Sequence, residues 1–314
     1  MFRIRDSDKV VKYEMSCSEA NGIHPLLRDF WFLKDLEDSG IVPKVFFVSP
    51  AVAIPLSHVT RKTHFALSRT RRLRCAERPD AAVRYLVMEY VGSVVTDVVR
   101  RNARSSTNPP LVSVLDLLRA VLGGLRIIHS RGMIHGDIHA GNIAIMNDGT
   151  VGFIDFGRGL FSDELPAETV RKRPRLSKLH CTMSPYALDG YSTSSRDDVF
   201  NAIWVAALVL HGPSLFAHCE SLVSANDGES LSRLKNESLL FEFDGGYPHL
   251  AEYPGAAAHI ENLLKLARTV PDLHRMPDYD AMLVDIDAII ATGAERLYPS
   301  SLVLVSSRFS TSQI

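Results

Sequence analysis

Apolar and polar residues near the N-terminus follow the short alternating patterns of β-strands, interrupted by one helical pattern. The helical pattern starts after Pro25, carries apolar residues at helical spacing through Leu36, and is followed by Gly40, a residue type that commonly ends helices. The strands predicted in this part of the chain are residues 2–5, 9–14, 41–50 and 83–92.

Helical patterns dominate after Gly92. A short apolar segment at residues 94–99 precedes residues 111–130, whose apolar positions on nearly all faces predict a buried central helix. The apolar run at residues 199–210 has the length of a core helix and is too short to span a bilayer. Residues 256–292 are again helical in pattern. Strands first and helices afterwards predict an α+β fold class.

A hairpin pattern between two of these helical segments carries the most informative polar residues of the chain. Its turn is Asn-Asp-Gly at residues 147–149, a strong hairpin signal. Asp137 and Asn142 precede the first strand and Asp155 follows the second, so we expect them at neighbouring ends. Phosphoryl transfer needs such a set: one carboxylate that orients a hydroxyl, and an amide with a second carboxylate that hold magnesium. The predicted strands are residues 143–146 and 151–154.

Composition and net charge indicate the class of protein but do not identify a binding partner. The 314 residues are 46% hydrophobic and 23% charged with a net charge of −1, typical of a folded globular protein. We therefore expect neither a nucleic-acid partner nor a membrane partner. The four cysteines form no CxxC pair, so a zinc site is not expected, and the N-terminus lacks an apolar signal segment. Free thiols and an intracellular place, cytoplasmic or nuclear, are the expectation.

The stretch from His135 to Gly157 resembles the catalytic and magnesium loops of the protein-kinase superfamily. The spacing of Asp137 and Asn142 matches, and Asp-Phe-Gly follows with Asp155 standing 13 residues after Asn142. The competing interpretation is an ordinary polar turn, which would have to explain two motifs in the right order. The resemblance implies a bilobed fold at residues 1–300, with a reduced β lobe at 1–91, a mainly helical lobe at 92–300 and a loose tail at 301–314.

The resemblance also implies ATP and Mg²⁺ as cofactors and assigns roles to three hairpin residues. Asp137 would orient the attacking hydroxyl and accept its proton, while Asn142 and Asp155 would hold the magnesium. Lys12 stands where the lysine that binds the α- and β-phosphates is expected. Asp29 stands near the position of the glutamate that pairs with this lysine in the family. Its side chain is one methylene shorter, so it reaches about 1.5 Å less far. A surface lysine and a surface aspartate near a helix start are the alternative interpretations.

Residues 83–92 resemble the strand and hinge that receive adenine. Met88 would guard the pocket, and Glu89 and Val91 would supply backbone contacts; packing in the core is the alternative and compatible role. Eleven residues, none of them glycine, precede Lys12. The family's glycine-rich loop is therefore missing from its place, and we expect an N-terminally truncated or divergent kinase.

Residues further along are most similar to casein kinase I-like Ser/Thr kinases. The segments that carry this likeness are Ser-Pro-Tyr-Ala at 184–187, Ser-Arg-Asp-Asp at 195–198 and Pro-Asp-Tyr at 277–279. Asp198 would accept backbone N–H groups of the catalytic loop, with a plain helix cap as the alternative. The likeness implies a protein substrate and favours acidic or already phosphorylated sites, which a basic run would bind. A solvated loop explains that run equally well. The basic residues are Arg171, Lys172, Arg173, Arg175 and Lys178.

Two departures from the family pattern keep other functions open. Gly136 replaces the usual arginine, which removes the common receptor for a phosphate on the activation loop. His139 replaces the usual lysine and could donate to the transferring phosphoryl group when protonated. The run His-Gly-Asp-Ile-His-Ala-Gly-Asn is also similar to small-molecule phosphotransferases. A pseudokinase scaffold of the same fold is the other alternative, favoured by Asp29 and the missing glycine-rich loop.

Overall fold

The computed structural model describes 12 parts of the chain, and the statements below concern these residues: 2–4, 7–16, 24–50, 52–55, 80–97, 111–146, 148–165, 183–189, 191–211, 213–236, 262–263 and 275–294. The basic run at 171–178 and the tail at 301–314 lie outside them, as do Asn147, Cys17, Cys75 and Cys181. The chain divides into two compact units, residues 1–91 with 154–159, and residues 92–153 with 160–314.

The first unit contains an antiparallel sheet with the order β1-β2-β5-β3, and β4 also pairs with β5. The longest pairing joins β2 and β5, with Lys9 opposite Glu89 and Ser16 opposite Ala82. Alternate residues of these strands, Val10, Leu86 and Met88, are buried. The strands are β1 (Phe2–Arg3), β2 (Lys9–Ser16), β3 (Val45–Val48), β4 (Val52–Pro55) and β5 (Asp80–Glu89).

One helix, α1 (Pro25–Asp35), accompanies this sheet. It begins where the side chain of His24 accepts the backbone N–H of Leu26, and a 3₁₀ turn leads from its end to Gly40, whose φ of 71° suits glycine. Its buried face consists of three apolar residues and one carboxylate: Leu26, Phe32, Leu33 and Asp29. The helix pattern in the sequence therefore predicted the place of α1, whereas the burial of Asp29 was not predicted.

The second unit is mainly helical and is centred on α2 (Leu111–Ser130), which has the predicted bounds. It packs against α4 (Ser195–His211) and α7 (Tyr279–Ala294). Trp204 and Phe200 of α4 are fully buried and stack with their ring centroids 6.4 Å apart. The other helices of this unit with described bounds are α3 (Pro185–Leu188), α5 (Pro213–Ser224) and α6 (Gly228–Asn236).

Small antiparallel sheets hold the functional loops of the second unit. The strand β6 (Ser93–Val94) pairs with β8 (Ile143–Ile145), which pairs with β9 (Val151–Phe153) in the predicted hairpin. The strand β7 (Met133–Ile134) pairs with β10 (Leu160–Phe161). The interpretation of Val94 as helical was wrong, because it pairs with Ala144, and the strand predicted at 41–50 is shortened to β3.

The hairpin approaches α2 closely at one glycine. A Cβ atom on Gly124 would lie 2.4 Å from Cε2 of Phe153, a distance that real side chains do not reach. Since Phe153 is the last residue of β9 and is fully buried, this contact anchors the strand that leads to Asp155.

Candidate functional site

Lys12 binds two carboxylates in the first unit. Its Nζ lies 2.7 Å from Oδ2 of Asp29 on α1 and 2.7 Å from Oδ1 of Asp155. Asp29 is fully buried, whereas the side chain of Asp155 is 44% exposed. The ion pair that the sequence left open is therefore present in spite of the shorter aspartate, and Lys12 reaches the Asp-Phe-Gly segment as well.

Helix α1 is joined to residues 155–159 by three further contacts. Oδ1 of Asp29 accepts the backbone N–H of Phe156 at 2.7 Å, and the rings of Phe32 and Phe156 lie 5.6 Å apart. Arg28 donates to the carbonyl of Gly159 at 2.7 Å. Asp155 itself has a φ of 69°, a conformation that non-glycine residues adopt rarely and that Asp tolerates better than most. Both oxygens of Asp29 thus take part in holding this loop.

The pKa values in this cluster reflect one cation beside two carboxylates. Burial raises the pKa of Asp29 above its ordinary value and the charge of Asp155 adds to this, although Lys12 and the Phe156 N–H act in the opposite direction. Burial alone would lower the pKa of Lys12, but the charges of Asp29 and Asp155 raise it above its ordinary value. Asp29 and Asp155 therefore share the charge of Lys12. A bound cation would reduce the repulsion between these two carboxylates.

The predicted hinge residues lie at the end of β5. Met88 is 1% exposed and pairs with Val10 and Val45. The backbone N–H of Glu89 donates to the carbonyl of Lys44 at 2.8 Å, so the sheet already uses this donor. Val91 is buried. The role of Met88, Glu89 and Val91 in adenine binding remains a prediction. Because the sheet uses the N–H of Glu89, only the backbone carbonyl of Glu89 is considered for a contact with adenine.

In the second unit, Asp198 of α4 holds the loop that contains Asp137. Its carboxylate accepts the backbone N–H of His135 at 2.7 Å and that of Gly136 at 3.0 Å. This confirms the prediction that Asp198 binds the catalytic loop, and it rules out a plain cap, because α4 begins at Ser195. Gly136 has a φ of 71°, which suits glycine and gives the departure from the family pattern a local backbone explanation.

The same loop brings Asp137, His139 and Asn142 together. Nδ2 of Asn142 donates to the carbonyl of Asp137 at 2.9 Å, and its backbone N–H donates to the carbonyl of His139 at 2.8 Å. Nδ1 of His139 accepts the backbone N–H of Gly141 at 3.0 Å. In this orientation His139 carries its proton on Nε2, so the neutral ring can act as a donor without the extra proton that the sequence interpretation invoked.

The donor chemistry of this chain fits magnesium. The amide nitrogen of Asn142 is used within the loop, which leaves the amide oxygen to bind a cation, and the carboxylate of Asp155 is half-exposed. Magnesium bound with a nucleotide commonly takes one or two protein oxygens in addition to phosphate oxygens and water. Within the described ranges, no three His, Cys, Asp or Glu side chains are grouped so that they could hold a metal ion alone. None of the helices in those ranges is both long and apolar enough to cross a bilayer.

Sequence reasoning missed several residues that support the site. Gly141 makes room for His139, since a Cβ there would lie 2.9 Å from Cε1 of its ring. His129 at the end of α2 binds Asp198, with Nε2 3.1 Å from Oδ2. A histidine directly after the apolar residues Ile127 and Ile128, near the end of the helix, was the available signal for His129. Gly141 follows His139 by two residues, and spacing alone gave no signal for it.

Comparison with known sequences identifies the family. The protein kinase domain family matches residues 71–242, more than half of the 314 residues. Asp137, Asn142, Asp155 and Asp198 lie within the match, whereas Lys12 and Asp29 precede it.

Individual relatives align over a shorter part of this chain. The serine/threonine-protein kinase pak-2 of Caenorhabditis elegans is 33% identical over 135 residues, which are 42% of this chain and 24% of that protein. The serine/threonine-protein kinase PknA of Mycobacterium tuberculosis is 31% identical over 134 residues, 42% of this chain and 30% of that protein. The aligned part of the chain thus spans less than a third of either relative. The family match nevertheless confirms the predicted enzyme family: the chain belongs to the protein kinase family.

Proposed function

We propose that this chain transfers the γ-phosphoryl group of Mg-ATP to a serine or threonine hydroxyl of a protein. The observation that carries the proposal is the contact of Lys12 with both Asp29 and Asp155, each at 2.7 Å. Lys12 and Asp29 lie outside the residues that match the family, so their meeting with Asp155 is support independent of that match. A phosphate-binding lysine, its acidic partner and a metal-binding aspartate are the set that kinase chemistry needs.

Each residue has one task in this proposal. Lys12 donates to the α- and β-phosphates, and Asn142 and Asp155 hold the magnesium. Asp137 orients the hydroxyl and takes its proton while the oxygen forms its bond to phosphorus and ADP leaves. His139 donates through Nε2 to the transferring group. When bound, magnesium would screen the negative charge of the phosphate oxygens.

The hairpin register supports the pairing of Asn142 and Asp155 as ligands. Ile143 lies opposite Phe153 in the two strands. Asn142 directly precedes Ile143, and Asp155 follows Phe153 by two residues. Asn142 and Asp155 thus stand close to the same pair of the hairpin along the chain, which supports proposing both as magnesium ligands.

The substrate class is a finer proposal. The casein kinase I-like segments and the basic run at 171–178 favour acidic or already phosphorylated protein sites, because charge-assisted hydrogen bonds to arginine recognise such groups. The relatives described above are serine/threonine-protein kinases by name. This agrees with a hydroxyl acceptor on protein.

A transfer assay with radioactive ATP tests the proposal and separates it from the alternatives. The acceptors are an acidic serine peptide, the same peptide with a phosphoserine nearby, a neutral peptide and a small aminoglycoside. We expect transfer to the two acidic peptides and none to the aminoglycoside. Transfer to the aminoglycoside alone would instead identify a small-molecule phosphotransferase. Magnesium-dependent nucleotide binding without transfer to any acceptor would identify a pseudokinase.

A further inference from the structure

A chain of three buried side chains connects α7, near the C-terminal end of the described residues, to the catalytic loop. The hydroxyl of Tyr279 lies 2.5 Å from Nδ1 of His129. Nε2 of the same ring lies 3.1 Å from Oδ2 of Asp198. Asp198 in turn accepts the backbone N–H groups of His135 and Gly136, directly before Asp137. One path of hydrogen bonds thus runs from α7 through α2 and α4 to the backbone directly before Asp137.

All three side chains of this path are removed from water. Tyr279 is 4% exposed, His129 6% and Asp198 0%. The rings of Tyr279 and His129 also pack together, with their centroids 5.9 Å apart. A buried polar group that loses its partner cannot turn to solvent for another, so each contact of the path constrains the next.

The contacts determine where the protons lie. Asp198 accepts hydrogen bonds when ionised, so the proton of a neutral His129 ring must be on Nε2. Nδ1 is then an acceptor, and it accepts a hydrogen bond from the hydroxyl of Tyr279. The pKa of Tyr279 is raised well above its ordinary value by burial and by the nearby charge of Asp198. The phenol therefore keeps its proton and remains a donor at working pH.

We propose that Tyr279 is a positioning residue of the phosphoryl-transfer reaction, which sets the catalytic loop through His129 and Asp198. The inference rests on the proposed function for its catalytic consequence. Tyr279 touches no reacting atom. Its hydroxyl donates to Nδ1 and holds the orientation of His129, and His129 in turn holds the carboxylate that accepts the backbone N–H groups before Asp137. Tyr279 lies outside the residues 71–242 that match the family, so the match itself does not assign it this role.

The substitution Tyr279→Phe tests the link because it keeps the ring and removes only the oxygen. A misplacement of a catalytic group by about 1 Å can cost about 100-fold in rate. We expect kcat to fall about 10- to 100-fold, while KM for ATP changes less than about twofold, since Tyr279 does not contact the nucleotide-binding residues. The matched control is Ile286→Val, a change at a fully buried position of the same helix.

Amide hydrogen exchange supplies a readout that does not depend on activity. We expect a peptide covering residues 133–142 to exchange faster in Tyr279→Phe than in wild type, and to be unchanged in Ile286→Val. If the protein shows no phosphotransfer activity, the proposed function is wrong. The exchange rates alone would then show whether Tyr279 positions the loop.

A second variant covers the case in which Tyr279→Phe does not fold. His129→Gln retains an N–H donor for Asp198 and interrupts the link to Tyr279. It should reproduce the loss in kcat, and adding Tyr279→Phe to it should change kcat no further, because the tyrosine acts only through His129. The inference is overturned if Tyr279→Phe lowers the melting temperature as Ile286→Val does but leaves kcat and exchange unchanged, or if the two substitutions are additive.

Discussion

Two fully buried carboxylates, one in each compact unit, are stabilised in different ways. Asp29 receives one lysine and one backbone N–H, and it shares the lysine with Asp155. Asp198 receives two backbone N–H groups and one histidine N–H. In the first arrangement two carboxylates share one lysine, whereas in the second one carboxylate accepts two N–H groups of the loop it holds and is supported by His129 of α2.

The difference corresponds to the two tasks of a site that transfers phosphate. A cluster in which two carboxylates share one lysine can respond when a cation arrives, because the ion pairs among Lys12, Asp29 and Asp155 can then rearrange. A carboxylate that is saturated by backbone donors fixes a shape and has little to exchange. We therefore expect substitutions at the first cluster to affect nucleotide and metal binding, and substitutions at the second to affect folding and loop geometry.

The largest expected effect follows from Asp155→Asn. Loss of the charged metal ligand should reduce phosphotransfer on the order of 10³-fold, or about 4 kcal/mol of barrier. Folding should change little, since the side chain is 44% exposed. Steady-state rates over a magnesium titration, with the exposed Asp163→Asn as control, measure this effect. Equal rates in the two variants would remove Asp155 from the chemistry.

The substitution Asp198→Asn should act on stability. One carboxylate oxygen becomes an NH₂ group that faces an N–H donor, which leaves buried donors unpaired at about 1–3 kcal/mol. Urea unfolding curves of wild type, Asp198→Asn and Asp163→Asn measure the free energy of unfolding. A loss below about 0.5 kcal/mol, the usual range of surface changes, would show that the loop does not need this carboxylate.

A smaller effect, visible as a pH trend, is expected for Asp29→Asn. The pKa of Asp29 in the folded chain lies above its ordinary value of 3.8. The folded state therefore binds this proton more tightly than the unfolded state. The resulting contribution to stability is complete below pH 3.8 and is lost as the pH rises through the folded-state pKa.

The stability of wild type relative to Asp29→Asn should consequently fall as the pH rises from about 3.8 through the folded-state pKa of Asp29. Chemical denaturation of both proteins at a series of pH values measures this difference. A trend of the opposite sign would mean that Lys12 and Phe156 outweigh burial at Asp29.

The smallest effect is expected at an exposed pair between α2 and α7. Nε of Arg119 lies 3.1 Å from Oδ1 of Asp287, with side chains 41% and 50% exposed. Because solvent screens such pairs, Arg119→Ala should cost about 0.5 kcal/mol or less in a urea titration. Tyr279→Phe, which changes a buried contact between the same two helices, should cost more. If Arg119→Ala cost more stability than Tyr279→Phe, burial would not explain the relative strength of the two contacts.

Local patterns predicted the long elements well. Residues 111–130 form α2 with the predicted ends, because a long apolar run has enough positions to define its period. The hairpin was predicted for a similar reason, since a turn signal lies between two short apolar runs. Spacing within one segment also suggested Asp137, Asn142 and Asp155 as one candidate set, which stays a prediction.

Contacts between distant segments could not be read in this way. Ser93 and Val94 are a strand only because Ile145 and Ala144 pair with them. Tyr279 and His129 are 150 residues apart, and a pattern that marks both as buried does not say that they meet. The bond from Asp29 to the Phe156 N–H depends on how α1 lies against residues 155–159, which helix periodicity does not specify.

The most direct test of the account is the phosphotransfer rate of Asp137→Asn compared with wild type, together with the affinity of each for Mg-ATP. Asparagine keeps the size of the side chain and removes the base, which contributes about 10²- to 10⁴-fold in rate. The account predicts a loss in this range with unchanged nucleotide affinity. Equal rates in the two proteins, or a wild type that transfers phosphate to no peptide, would contradict it.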